Sequence, residues 1–258
     1  MSEGRSSKVE VVRSGDVVWD HVAVEEPLQV TVDGFPIAVV MRTPEDDLDL
    51  VRGFLLTEGV FRRLEDVVKI DLEKMDNHAL VFSCDDVVVD FERHRRNLYS
   101  ASSCGICGKA TIESVRMELP CLEGGLNLRE NILLGLPDGM RAGQDTFERT
   151  GGLHAAGLFS EDGELLFLRE DVGRHNAIDK VIGAAAAGKV NFNGLILMVS
   201  GRVSFEVMQK AHAVGVGTVC AISAPTSLAV SFAQESGQVL VGFLRPPSYN
   251  VYAGTVSS

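Results

Sequence analysis

The sequence predicts a mixed α/β protein in which an N-terminal α+β part, residues 1–100, precedes an α/β core over residues 145–258. A cysteine-bearing loop and a helical connection, residues 101–144, lie between them. Three observations predict this. Short apolar runs alternating with polar residues crowd the first ninety positions, which is the period of half-buried strands. From about Asp145 strand-like and helix-like segments take turns, the order that builds a layered domain with a substantially parallel sheet. A composition of 45% hydrophobic and 23% charged residues over 258 positions describes a globular chain with material for a large core, or for a small domain packed on a larger one.

Val9 to Val12, Val17 to Val24, Leu28 to Val32 and Phe35 to Met41 read as strands, the last two joined by Asp33-Gly34, a pair suited to a tight hairpin. Thr43 is then expected to cap a helix, with Pro44 at its first position and Glu45, Asp46 and Asp47 placing negative charge in its first turn. Leu48, Val51, Phe54 and Leu55 supply the apolar face of that helix, which ends near Gly59. Val67 to Leu72, Ala79 to Phe82 and Val87 to Phe91 alternate as an antiparallel sheet with one solvated face. Farther on, Gly151 to Phe159 reads as a helix, Leu165 to Leu168 as a strand and Asn176 to Ala187 as a helix. Strand Leu195 to Val199, helix Phe205 to Val214, strand Thr218 to Ile222, helix Ser227 to Gln234 and strand Val239 to Phe243 complete the core.

No apolar run approaches the ~18 residues of a membrane span, and residues 1–10 lack the apolar stretch of a signal peptide, so the expected address is the cytoplasm. Lys and Arg number 24 against 36 Asp and Glu, a net charge of −12 that opposes non-specific nucleic-acid binding. An anionic ligand would need a locally basic or amide-rich site. The five cysteines, an odd number at irregular spacing, fit a reduced compartment better than a disulfide framework.

Cys104 and Cys107 are the sharpest pair, because two intervening residues bring their sulfurs within reach of each other, of a metal or of a reacting sulfur. Spacing alone leaves a zinc site, a redox pair, a sulfur carrier and two plain buried residues open. Zinc loses ground because neither a second Cys-x-x-Cys nor a closely spaced His pair is present, and a thioredoxin-like role because the motif follows an antiparallel region and a basic run. A thiolate nucleophile benefits from nearby positive charge, for which Arg93, Arg95, Arg96 and Lys109 are candidates, although the arginine run serves equally as a solvated strand end. A second cluster comprises Thr150 to Ala156, with His154, and Glu170 to Asn176, in which Asp171, Arg174 and His175 together weigh more than a lone histidine. In a third, Ser200-Gly201-Arg202 lies between an apolar strand and a helix, where amides and Arg202 could hold an anion, or where the glycine merely allows a tight turn. Arg245 falls just beyond the last strand. Cys84, Cys121 and Cys220 read as small core or surface residues.

Ser103 to Lys109, Thr150 to His154, Glu170 to Ala177, Ser200 to Glu206, Ala224 to Ser227 and Gly242 to Arg245, taken in order, resemble the FdhD family of formate dehydrogenase accessory sulfurtransferases over nearly the whole chain. The resemblance implies a cytidine-deaminase-like three-layer α/β core and a homodimer. It also implies a cytoplasmic role between a cysteine desulfurase and a molybdenum or tungsten cofactor carrying two pterin guanine dinucleotides, before that cofactor enters formate dehydrogenase. Sulfur would be accepted as a cysteine persulfide. On the family pattern Cys104 matches the persulfide-bearing cysteine and Cys107 its partner. Phe243, Leu244, Arg245, Pro246, Pro247 and Ser248 fall where the family binds the cofactor, with Gly201 and Arg202 as further candidates. The bis(guanine dinucleotide) cofactor would be a transient sulfur acceptor, with no resident cofactor or metal and no nucleic-acid or membrane partner. Pro246-Pro247 departs from the pattern by removing two amide donors.

Two other functions compete. A zinc nucleobase deaminase would need His-x-Glu followed later by Pro-Cys-x-x-Cys; here the chain has His154-Ala155-Ala156, no proline before Cys104, and the reverse order. A non-catalytic chaperone for the molybdenum cofactor would use the same turns and treat the cysteines as structural.

Overall fold

The computed structural model describes residues 2–91, 121–122 and 128–257. The chain opens with strands β1 (Ser2–Glu3), β2 (Ser6–Arg13) and β3 (Asp16–Ala23), a small antiparallel sheet of order β1-β2-β3. Strands β4 (Glu26–Val32) and β5 (Phe35–Arg42) form the hairpin expected around Asp33-Gly34. With β6 (Val67–Asp71) and β7 (His78–Ser83) they make a sheet of order β5-β4-β7-β6. Its inner side chains, among them Leu28, Val30, Val32, Ile37 and Val81, bury against Leu50, Val51 and Leu55 of helix α1 (Asp47–Thr57). Each such side chain withdrawn from water contributes about 1.5–3 kcal/mol, which is why the period-two pattern fixes the register.

Three expectations change in this part. Helix α1 starts at Asp47 rather than next to Thr43, because Thr43 is engaged elsewhere: its Oγ1 accepts from Val172 N–H, its N–H donates to Asp171 and its carbonyl accepts from Lys180. Residues 87–91 form no strand; Val88 is 96% exposed while Phe91 stacks on Phe35, so the alternation there reflects individual anchoring rather than pairing. The sheet is also not wholly antiparallel, since β4 and β7 run parallel.

The second half contains β8 (Leu128–Arg129), α2 (Glu130–Arg141), α3 (Asp145–Thr150), β9 (His154–Phe159), β10 (Leu165–Asp171) and α4 (Arg174–Ala187). There follow β11 (Ile196–Val199), α5 (Phe205–Ala213), β12 (Thr218–Ala221), α6 (Ser227–Ser236), β13 (Val239–Arg245), β14 (Ser248–Ala253) and β15 (Val256–Ser257). The main sheet has the order β10-β9-β11-β12-β13-β14 and is mixed rather than substantially parallel: only β11-β12 and β12-β13 pair in parallel. One face buries Leu197, Val199, Val219 and Leu240 under α4, α5 and α6. The other buries Ile196, Met198, Cys220 and Val241 under Leu133, Leu136 and Met140 of α2. Residues 154–159, expected as helix, are a strand because every residue from Ala155 to Phe159 is buried between the two layers, and Gly151 ends α3 in the left-handed region.

Helix α4 joins the two halves. Its residues from Asn176 to Ala185 are buried almost all round, because one side lies on the main sheet and the other on α1. The two helices meet backbone to backbone: a Cβ on Gly53 would lie 1.7 Å from Asp179 O, and one on Gly183 1.9 Å from Asp49 O. Only glycine permits that approach.

Candidate functional site

Strand direction assembles a rim from distant parts of the chain. The parallel strands β11, β12 and β13 deliver Ser200-Gly201-Arg202, Ile222-Ser223-Ala224-Pro225 and the segment after Gly242 to the same edge of the sheet, the edge where open α/β sheets present ligand sites. Because β9 runs antiparallel to β11, its first residue His154 faces that edge, and β10 brings its last residue, Asp171, opposite His154. Helix α4 then begins at Arg174 and α5 at Phe205.

Local bonds hold these segments in place. Ala155 N–H donates to Ser200 Oγ at 2.9 Å and Ser200 N–H to Ala155 O at 3.0 Å. Val203 bridges Pro225, with Val203 N–H donating to Ala224 O and Thr226 N–H to Val203 O. Gly201 is buried beneath its neighbours: a Cβ there would lie 3.3 Å from His154 Nδ1 and 3.7 Å from Arg174 Cβ. Gly201 does not adopt the left-handed conformation that favours glycine, so what its lack of a side chain provides is space beside the imidazole rather than the turn.

The Asp171, Arg174 and His175 cluster separates into two roles. Asp171 is fully buried and accepts from Thr43 N, Gly173 N, Asn176 Nδ2 and Lys180 Nζ, the last at 2.8 Å, which ties the α4 start to the N-terminal part. It anchors the fold. His175 Nε2 lies 3.3 Å from Glu206 Oε2 and 3.4 Å from Ser204 Oγ. Burial, followed by the charges of Lys210 and Arg174, pushes its pKa down to about 3, outweighing the attraction of Glu58. His154 is shifted the same way by burial, then by Arg174 and Arg202.

Of the remaining candidates, Arg202 is exposed beside buried Gly201. Phe243 is 41% exposed and adopts φ 51°, the left-handed region uncommon for a non-glycine residue, with its N–H bonded to Ser223 O. Leu244 points the other way into the core under α2, so only its backbone is on the rim. Arg245 is exposed and its Nε donates to Ile222 O at 3.3 Å. Pro246 and Pro247 form the exposed link to Ser248, whose Oγ donates to Arg245 O. The rim thus gathers Gly201, Arg202, Phe243, Arg245 and Ser248 from two loops. Cys104 and Cys107, with Arg93, Arg95, Arg96 and Lys109, lie outside the described residues. Among the described cysteines, Cys84 is half-buried, Cys121 exposed and Cys220 buried with its thiol pKa pushed up by desolvation. Among the described residues no group of three His, Cys, Asp or Glu side chains could hold a metal ion, and no helix is long and apolar enough to cross a membrane.

Sequence reasoning missed Lys210, which donates to Thr57, Asp179 and Glu58 behind His175. The signal was available as charged residues at positions that the two helices bury, Asp179 and Lys180 in α4 and Glu206 and Lys210 in α5.

Residues 23–257 match the model of the FdhD/NarQ family. "Sulfur carrier protein FdhD" of Streptomyces avermitilis is 45% identical over 261 residues, covering 96% of this chain and 93% of that protein. The proteins of the same name from Mycobacterium tuberculosis and Sulfolobus acidocaldarius are 45% and 42% identical, each covering 90% of this chain, and 90% and 89% of their own lengths. The fold is similar to the crystal structure of a provisionally described formate dehydrogenase accessory protein from Desulfotalea psychrophila, with a TM-score of 0.78 at 23% identity over 96% of both chains.

Proposed function

The chain belongs to the FdhD/NarQ family, and from that premise we propose that it is a sulfur carrier for formate dehydrogenase that holds sulfur as a persulfide on Cys104. The observation that carries the reading is the extent of likeness, over nine-tenths of both chains, to relatives that bear the name sulfur carrier protein. Cys104-Gly105-Ile106-Cys107 supplies a thiol in the required pattern. In the first step the Cys104 thiolate attacks the terminal sulfur of a persulfide on a cysteine desulfurase; a new S–S bond forms, the donor's S–S bond breaks and the donor cysteine leaves as thiolate. In the second, the terminal sulfur passes to the metal of a molybdenum cofactor bearing two guanine dinucleotides, Cys104 returns to thiolate, and the metal supplies the two electrons that convert the sulfur to sulfide.

The rim supports the acceptor side of this reading. A bulky anionic dinucleotide needs arginines and close backbone approach despite a net charge of −12, and Arg202, Arg245, Gly201 and exposed Phe243 offer these together. In the same reading residues 145–258 are the cytidine-deaminase-like core, residues 1–100 an added part, and the protein a cytoplasmic homodimer that meets a cysteine desulfurase and formate dehydrogenase in turn.

Intact mass spectrometry tests the carrier step. After incubation with a cysteine desulfurase and cysteine, the protein is expected to gain one or more sulfur atoms in a form lost on reduction, and Cys104→Ala is expected to gain none at that position. Formate dehydrogenase activity restored by Cys104→Ala as well as by the unaltered chain would instead establish a chaperone that only binds the cofactor.

A further inference from the structure

We propose that the β1-β2-β3 ribbon is a releasable strap: docked, it holds the left-handed Glu45-Asp46 turn, and through Thr43 that turn fixes the start of helix α4. The coupling acts on the seat of α4 and holds whichever ligand the rim receives.

Backbone strain marks the turn. Glu45 and Asp46 adopt φ 70° and 54° in succession, immediately before α1. The left-handed region is uncommon for residues with a side chain, for glutamate more so than for aspartate, and such residues persist only where their surroundings over-determine them. Here the ribbon supplies much of that constraint. Arg5 Nε donates to Glu45 Oε2 at 2.8 Å and Arg5 Nη2 pairs with Asp46, while the body of the protein contributes Arg169, 3.5 Å from Asp46 Oδ1. Gly4 lets the ribbon close on the turn, since a Cβ there would lie 2.1 Å from Glu45 Oε1. Two part-exposed ion pairs return no more than strained residues cost, so the shape of the turn depends on the ribbon.

The other end of the turn is tied to α4. Thr43 donates its N–H to Asp171 Oδ2 at 3.1 Å, and accepts from Val172 N–H on its hydroxyl and from Lys180 Nζ on its carbonyl. Only Pro44, with its fixed φ, separates Thr43 from the strained pair. Asp171 Oδ1 in turn accepts from Gly173 N–H and Asn176 Nδ2, at the opening of α4. One carboxylate thus meets Thr43 with one oxygen and sets the first turn of α4 with the other.

The docked ribbon is also weakly held. Its root buries Ser6 Oγ and His21 Nδ1 with no hydrogen-bond partner, and these polar atoms regain water when the root lifts. Ser6, His21 and Ala23 share one face with Val12, Val17 and Trp19. Ala23 lies beside Gly152, whereas Val12, Val17 and Trp19 stay exposed and add nothing to the docking. Unsatisfied polar atoms at the root and strain in the turn oppose the docked form, which brings it close in free energy to the released one.

Amide hydrogen exchange of the full-length protein, resolved by residue with NMR, tests the strap. Arg5→Ala is expected to speed exchange at Thr43, Val172 and Gly173 by roughly three- to tenfold, the range that two part-exposed ion pairs supply, while Leu197 and Val219 in the main sheet keep their rates. Gly4→Ala, which displaces Glu45 and leaves every charge in place, should act in the same direction. Arg13→Ala, which removes an exposed pair with Asp20 in the same ribbon, is the control and should leave those three amides unchanged. Glu45→Gly added to Arg5→Ala should restore slow exchange, because glycine takes the left-handed conformation without the cost. A turn held by ion pairs alone would not recover when a second partner is removed. Faster exchange of the Val24 amide, which donates to Arg5 O, with no change at Thr43, Val172 and Gly173 would show a ribbon that leaves without moving α4 and would overturn the strap. Equal acceleration across the main sheet, no change at any of these amides, or failure of Glu45→Gly to restore the rates would overturn it as well.

Discussion

His175 carries the electrostatics of the rim into folding stability. In the folded chain its pKa falls to about 3, because burial and the Lys210, Arg174 and His154 charges disfavour the imidazolium, whereas in an unfolded chain it titrates near 6.5. The unfolded state therefore binds more protons between those values. The stability associated with neutral His175 is fully present above pH 6.5 and is lost as pH falls toward 3, with a slope of up to about 1.4 kcal/mol per pH unit. Urea unfolding at pH 8, 6 and 5 should show this decline, and His175→Gln should flatten it; a variant that falls as steeply as the unaltered chain would show that other groups drive it. At this scale the sequence revealed which residues to watch but not what each does. Asp171 and His175 stand four positions apart in one motif, yet one is saturated by Thr43 of the N-terminal part together with donors from the α4 start, and the other faces Glu206 and Ser204, so the distant partners that separate their roles lie 29 to 128 residues away.

Elements show where local pattern reading succeeds and fails. Asp33-Gly34 set the β4–β5 hairpin because turn chemistry is local. Residues 154–159 were misread because a short apolar run buried on both faces lacks the period that tells strand from helix. Thr43 looked like a cap because nothing in its neighbourhood reveals that Val172 takes its hydroxyl. The same long-range logic places Lys210 of α5 against Asp179 of α4 at 2.9 Å and against Thr57 and Glu58 at the end of α1, binding three helices through one ammonium group. Lys210→Met removes that group and leaves Asp179, whose pKa burial already pushes up to about 6, stranded in the interior without its counter-charge, so unfolding free energy should drop by about 3–5 kcal/mol. Replacing Asp179 by Leu in the same chain should recover much of the loss, because the stranded charge, rather than the missing pair, is the larger penalty. Chemical denaturation of the single and double variants measures both steps. A double variant no more stable than Lys210→Met would assign the stability to the pair itself.

Across the whole molecule, cooperativity should follow how each sheet is covered. The six-stranded sheet is buried on both faces, and α4 couples it to α1 and the four-stranded sheet through a glycine contact too close to slide. These parts should unfold together. The β1-β2-β3 sheet is attached differently: Arg5 pairs with Glu45 and Asp46, β3 packs on α3, and beyond these anchors Val12, Val17 and Trp19 are mainly solvent-exposed. Small exposed ribbons are marginal by themselves, and the family match begins only at residue 23, where this ribbon ends. Trp19 is the chain's one tryptophan and is 60% exposed, so its fluorescence reports this ribbon alone. On heating, the Trp19 signal should change at a lower temperature than the far-ultraviolet circular dichroism of the whole chain. Arg5→Ala should widen the interval by loosening the ribbon's anchor without touching either core. Coincident transitions in both proteins would mean that the ribbon is held as firmly as the sheets, and that its exposed valines are stabilised by the pairing of β2 with β3 rather than released early.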